Sequence, residues 1–216
     1  MEKINVAVVG YGGMGRYHAN HIEEFEKFNL VGIYDIKQSA CDVATEKGVY
    51  VYPSFEAVLE DERVELIVCA TYNDCHKDIA IRAMKAGKAV ISEKPVTMCS
   101  EDLEEMIKAS EETGKLFTVH QNRRWDNDYR MVKRVLETNE LGNVFSIDSR
   151  VYGSRGIPGD WRREKQHGGG MLLDWGVHLL DQILMLNEGK KLLTVYATMT
   201  NVTNDEVDDG FRAILK

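Results

Sequence analysis

Asp174, His178 and Asp181 stand at i, i+4 and i+7, on one face of a helix that repeats every 3.6 residues. Histidine is the usual proton shuttle near neutral pH, and a carboxylate one turn away can orient it and stabilise its charged form. Leu173, Val177, Leu180 and Leu184 supply an apolar stripe beside them. The same spacing also suits a structural pair near a helix start. It could hold a cation as well, although no cysteine or second histidine clusters with these residues. A second candidate is Glu93-Lys94-Pro95. Lys94 could bind or polarise a substrate oxygen there, with Glu93 positioning it, or it could be an ordinary exposed lysine before a turn. Pro95 steers Lys94 out of the helical region and allows a cis bond at low cost.

The elements that must position these groups are organised around the first thirty-five residues. Ile4-Asn5-Val6-Ala7-Val8-Val9 is an apolar, β-branched run, followed by Gly10-Tyr11-Gly12-Gly13-Met14-Gly15 and a helical stretch to about residue 25. A second apolar run, Leu30-Val31-Gly32-Ile33-Tyr34, closes on Asp35, twenty residues after Gly15. Glycine pattern, strand–turn–helix context and trailing acid agree on a dinucleotide site. Gly10 allows the tight turn, Gly12 lets backbone approach a pyrophosphate, and Gly15 lets the helix pack close to the strand. The phosphates would meet the unpaired N–H groups and positive dipole of the helix start. Asp35 would accept both adenosine ribose hydroxyls and repel a 2′-phosphate. NAD is therefore expected over NADP, with NADP still possible because Lys37 lies near. Glu93 could also touch the nicotinamide ribose.

Further along, helices are expected from residue 35 to 48, from Ser54 as a cap, over 75–86 and, capped by Ser100, to about 113. Strands are expected over 49–52, 65–70, 88–92 and 116–120. Strands alternating with helices mean a doubly wound parallel sheet, whose ligands bind outside the strands' carboxyl ends. The glycine turn, Asp35, Thr71–Asn73, Glu93–Pro95 and Gln121–Arg123 should share that crevice. The pattern then changes. A helix over 126–139, an alternating strand over 144–151, a polar loop over 155–166, a helix over 171–186 and strands over 192–201 and 210–215 are expected. The expected division is a Rossmann domain over 1–122 and an α+β domain with a mainly antiparallel sheet over 123–216.

With 216 residues, 44% hydrophobic and 29% charged, the composition is that of an ordinary globular protein. A net charge of −8 argues against nucleic acid. Residues 1–3 lead straight into a strand, so no signal peptide is expected, and no apolar run approaches a membrane span. Cys41, Cys69, Cys75 and Cys99 show no C-x-x-C pattern. They read as reduced thiols of a cytoplasmic protein without structural zinc.

Taken together, the glycine fingerprint, Glu93-Lys94-Pro95, Asn122-Arg123-Arg124-Trp125 and Gly168-Gly169-Gly170-x-x-x-Asp174-x-Gly176-x-His178-x-x-Asp181 resemble the glucose–fructose oxidoreductase / inositol dehydrogenase / MocA family of NAD(P)-dependent oxidoreductases. The resemblance implies hydride transfer between a sugar, cyclitol or polyol carbinol and nicotinamide. In it His178 removes the hydroxyl proton, Asp174 supports His178, and Lys94 holds the reacting oxygen. Tyr11, Gly13, Met14, Thr71, Asn73 and His76 fall on the family's cofactor side, and Arg123, Tyr152, Trp161 and Asp181 are candidate substrate contacts. The loop Ala70-Thr71-Tyr72-Asn73 departs from the family's Ala-Thr-Pro-Asn at Tyr72. The chain also stops partway through the family's second domain, so a half-built sheet is expected to drive homo-oligomerisation. Two other readings of the resemblance are a non-catalytic dinucleotide sensor and an NAD-dependent glycosidase.

Overall fold

The computed structural model describes residues 3–153 and 156–216. Arg155, which the sequence offers as a sugar contact in the polar loop, lies outside them. The chain divides into two compact units, Met1–His120 and Gln121–Lys216. The division falls two residues before the expected one.

In the first unit β1 (Ile4–Val9), β2 (Phe28–Tyr34), β3 (Leu66–Cys69), β4 (Ala89–Ser92) and β5 (Phe117–Val119) form one sheet in the order β2-β1-β3-β4-β5. Every pairing is parallel. The expected strand over 49–52 reduces to a single parallel bridge, Ile33 to Val51. Side-chain alternation sorts the core into two layers. Val6, Val8, Leu66 and Val68 face α1 (Gly13–Ile22) and α2 (Gln38–Glu46). Ala7, Val9, Ile67 and Cys69 face α3 (Phe55–Glu60), α4 (His76–Lys85) and α5 (Ser100–Thr113). Both faces are covered, which explains why β3 and residues 6–9 of β1 are continuous apolar runs. Ser54 caps α3 as expected, its hydroxyl accepting the Ala57 N–H at 3.1 Å. Ser100 is instead the first residue of α5, after Cys99 in the cap position. Chain order reverses between β1 and β3, so the crevice opens beyond their carboxyl ends.

In the second unit α6 (Asn127–Glu137) and α7 (Val177–Leu186) are followed by β6 (Val195–Thr200) and β7 (Gly210–Leu215), paired antiparallel. Residues 144–151 form no strand. Their alternation fits a half-buried strand, but a strand exists only where another pairs with it, and β6 and β7 pair with each other. All six β6 residues are exposed, Val195, Tyr196 and Met199 among them. Met171 begins a helical run whose next five residues, Leu172–Gly176, form a π-turn ahead of α7. No helix among the described residues is long and apolar enough to cross a membrane.

Candidate active site

The glycine turn has the shape of a phosphate cradle. A Cβ on Gly15 would stand 1.8 Å from the Gly10 carbonyl oxygen, so only glycine lets α1 approach β1 this closely. Gly10 has φ +90° and abuts Ala70, joining the turn to the loop after β3. By contrast, a Cβ on Gly12 or Gly13 would meet nothing within 4 Å, and both residues are exposed. Open backbone at a helix start with no acid in its first turn suits a pyrophosphate. The chain's own atoms thus fit a dinucleotide. Asp35 accepts the Tyr11 N–H at 2.6 Å and the Lys37 N–H at 2.8 Å, one on each oxygen. A carboxylate has about four acceptor positions, so two remain for ribose hydroxyls. Tyr11 contributes only backbone here, because its ring is buried in the core against Val6 and Val8.

The loop after β3 and the loop after β4 are clamped together by His76, which is fully buried. Its Nδ1 lies 3.0 Å from the Pro95 carbonyl and its Nε2 3.3 Å from that of Thr71. Burial pushes its pKa down, against those two contacts. One nitrogen of a neutral ring donates, so the clamp favours the closer Pro95 oxygen. His76 therefore ties the two loops to each other. Asn73 is buried at the start of a short 3-10 turn. Lys94 is half-buried, and the Lys94–Pro95 bond is cis.

Glu93 is buried, and its partners come from distant parts of the chain. Oε1 accepts from His18 Nε2 at 2.6 Å and from His120 Nδ1 at 2.9 Å. Oε2 accepts the Lys94 backbone N–H at 3.2 Å. Burial alone would raise the Glu93 pKa, but the bonds from His120 and His18 outweigh it and bring it down to about 2. The three side chains offer metal-ligating atoms within 4.8 Å of one another. Ligands of a tetrahedral zinc stand roughly 3.3 Å apart at its usual bond lengths. The two observed gaps are shorter and match charge-assisted hydrogen bonds.

A depressed carboxylate pKa stabilises the fold above the unfolded value, near 4.5, and the benefit is lost as pH falls through the folded value. Wild type should therefore exceed Glu93→Gln in urea stability by on the order of 3 kcal/mol above pH ~4.5. The gap should close on acidification toward pH 2. A gap that does not change with pH would mean that the charge is not its source.

In the second unit a sharp turn precedes the helical run that carries Asp174 and His178. Gly170 has φ +99°, and a Cβ there would stand 2.2 Å from Asp208 Oδ1. The Asp208 carbonyl accepts the Met171 N–H at 3.0 Å, and its Oδ2 accepts the Leu172 N–H at 2.8 Å. Asp208 thus satisfies two N–H groups at this helix start. Arg162 ties the loop to the same place, with its carbonyl on the Gly170 N–H at 2.9 Å and its Nε 3.1 Å from Asp174 Oδ2. His178 is buried, and its Nδ1 lies 3.2 Å from Gln121 Oε1. The Gln121 side chain thus orients the His178 ring.

The π-turn changes the phase between Asp174 and His178 from the regular α-helical offset. Such turns recur at functional sites. Asp181 receives a bidentate Arg124 at 2.5 and 2.8 Å, so its charge is already matched. Arg123 stacks on Trp175 at 4.1 Å and pairs with Asp126 at 2.8 Å. Trp161 is half-buried under the Arg162 guanidinium, and Tyr152 is exposed on an irregular stretch. Asp208 and the pairing of Gln121 with His178 carried no local sequence signal. His18 and His120 lie 75 and 27 residues from Glu93, so their convergence is a product of the fold.

A doubly wound sheet with an open glycine cradle and an acid closing its second strand defines the first unit as a dinucleotide-binding module of the oxidoreductase kind. Residues 4–121 match the oxidoreductase family with an NAD-binding Rossmann fold, and residues 129–216 match the GFO/IDH/MocA C-terminal domain. The chain belongs to that family. An NAD-binding protein from Listeria innocua superimposes with a TM-score of 0.97 at 47% identity, over 100% of this chain and 62% of that one. Scyllo-inositol 2-dehydrogenase (NADP+) IolW of Bacillus subtilis is 29% identical over 100% of this chain and 60% of its own length. Glucose-6-phosphate 3-dehydrogenase of the same organism is 31% identical over 95% of this chain and 60% of its own. The chain thus spans about 60% of the length of these curated relatives.

Proposed function

We propose that the protein is an NAD-dependent dehydrogenase of a sugar, cyclitol or polyol carbinol. The observation that carries this reading is the carboxyl end of the parallel sheet, where open glycine backbone, Asp35 and the Glu93–Lys94 loop follow β1, β2 and β4. Relatives named as inositol and sugar-phosphate dehydrogenases support the substrate class. NAD bound to the cradle supplies a hydride acceptor at C4 of its nicotinamide. Asp35 favours NAD, since a 2′-phosphate beside it would meet a like charge.

In this reading Lys94 holds the carbinol oxygen through its ammonium group. His178 takes the hydroxyl proton as the C–H hydride leaves, and the carbinol becomes a carbonyl. Asp174, already bonded to Arg162, keeps a negative charge on the helix of the resulting imidazolium. The Gln121 contact orients the imidazole.

The test is a panel of inositols, sugars, sugar phosphates and sugar alcohols with NAD or NADP, followed at the absorbance of the reduced nicotinamide. Turnover of at least one polyol, faster with NAD, is the expected result. Tight NAD binding with no turnover across the panel would favour a sensor. Release of an aryl group from an aryl glycoside without net NADH would favour a glycosidase.

A further inference from the structure

We propose that His18 and His120 are positioning residues for Lys94, acting through the Glu93 carboxylate held between them. The inference rests on the reading that Lys94 works at the reacting oxygen. Three elements converge on one buried side chain. His18 lies on α1, within one turn of Gly15, on the helix whose start cradles the phosphates. Glu93 directly follows β4 and donates its own N–H to the Cys69 carbonyl at 2.8 Å. His120 directly follows β5, and its N–H reaches the Ser92 carbonyl at 2.8 Å. The backbone ladder thus sets the spacing of two members, and α1 brings in the third.

The division of labour on the carboxylate is specific. Each carboxylate oxygen offers about two acceptor positions. Both positions of Oε1 are taken by imidazole N–H groups, and Oε2 takes the Lys94 backbone N–H. With Oε1 filled, Glu93 acts as a strut that fixes the backbone from which the Lys94 ammonium extends. This differs from the ribose contact expected of Glu93. His120 adjoins Gln121, whose side chain holds His178 within the second unit. The two consecutive residues thus orient, respectively, the lysine backbone and the base.

Removing the His120 imidazole should loosen Glu93 and free the Lys94 amide. His120→Ala is compared with His120→Asn, whose side-chain nitrogen overlies the imidazole Nδ1 and still donates to Oε1. The first readout is hydrogen exchange of the Lys94 amide in the 15N-labelled protein, with Ala7 in β1 as the reference for global opening. Lys94 exchange should rise about tenfold in His120→Ala, with Ala7 unchanged and His120→Asn restoring protection. For any polyol the wild type oxidises, kcat should fall about tenfold or more while NAD affinity holds. Unchanged Lys94 exchange in His120→Ala, or exchange that rises only in step with Ala7, overturns the proposal. If no polyol is oxidised, the exchange measurement still decides it, and only the dehydrogenase reading falls.

Discussion

His178→Ala is expected to lower kcat for the oxidised polyol by roughly 10²–10⁴-fold, the usual contribution of a general base, while leaving NAD affinity within about twofold. The selectivity follows from where the groups sit. The imidazole belongs to the unit that begins at Gln121, and the glycine cradle belongs to the unit that ends at His120. Raising pH should not rescue the variant unless hydroxide replaces the base, and added imidazole should restore part of the rate. Lys94→Met, which keeps the length of the stem and removes the charge, should produce a loss of similar size. Its KM for the polyol should rise as well, since in the proposed reaction the ammonium binds the same oxygen before and during transfer. Stopped-flow kinetics on both variants, with NAD titrated by fluorescence, checks these outcomes. Undiminished turnover in either variant would remove that residue from the chemistry.

Gly15→Ala is the second large effect. The new methyl would lie 1.8 Å from the Gly10 carbonyl oxygen and 2.8 Å from its carbon. Both are backbone atoms, so no rotamer change can relieve the overlap. Either α1 slides away from β1 or the turn opens. Overpacking of this kind costs about 1–3 kcal/mol and sometimes more. If the strain is relieved by deforming the cradle, NAD affinity should fall roughly ten- to a hundredfold. If the cradle holds instead, the same energy appears as a lower melting temperature. Measuring both separates the two routes. Gly13→Ala is the control, since its methyl meets open space in the ligand-free protein, and it should leave the melting temperature nearly unchanged.

Features encoded locally were legible in the sequence. Gly10, Gly12 and Gly15 read as a phosphate turn because turn, approach and packing each need glycine at a fixed spacing. Asp35 was legible because it closes the strand after that helix. Features that depend on distant partners were not. The alternation over 144–151 described a surface able to pair, and no neighbouring strand comes to it. The residues at 172–176 look helical in any periodicity, and nothing in their types marks the π-turn that they form. Resemblance put His76 on the cofactor side, and the fold shows its ring bridging two carbonyls beneath the loops. Glu93 was visible as chemistry, but its two imidazoles come from a helix near the beginning of the chain and from the residue just after β5.

The strand order also dictates the sequence in which the first unit can be made. β1 is synthesised first, yet one of its flanks is β3, with Val6 opposite Leu66. Its apolar edge stays unsheltered until some sixty further residues have emerged, and such non-local pairings slow folding. β5 closes the far side only at Phe117–Val119. A nascent chain arrested before residue 116 would lack the edge strand on β4 and the histidine that follows it. The earliest boundary at which this unit could be excised with its sheet whole therefore falls immediately after His120.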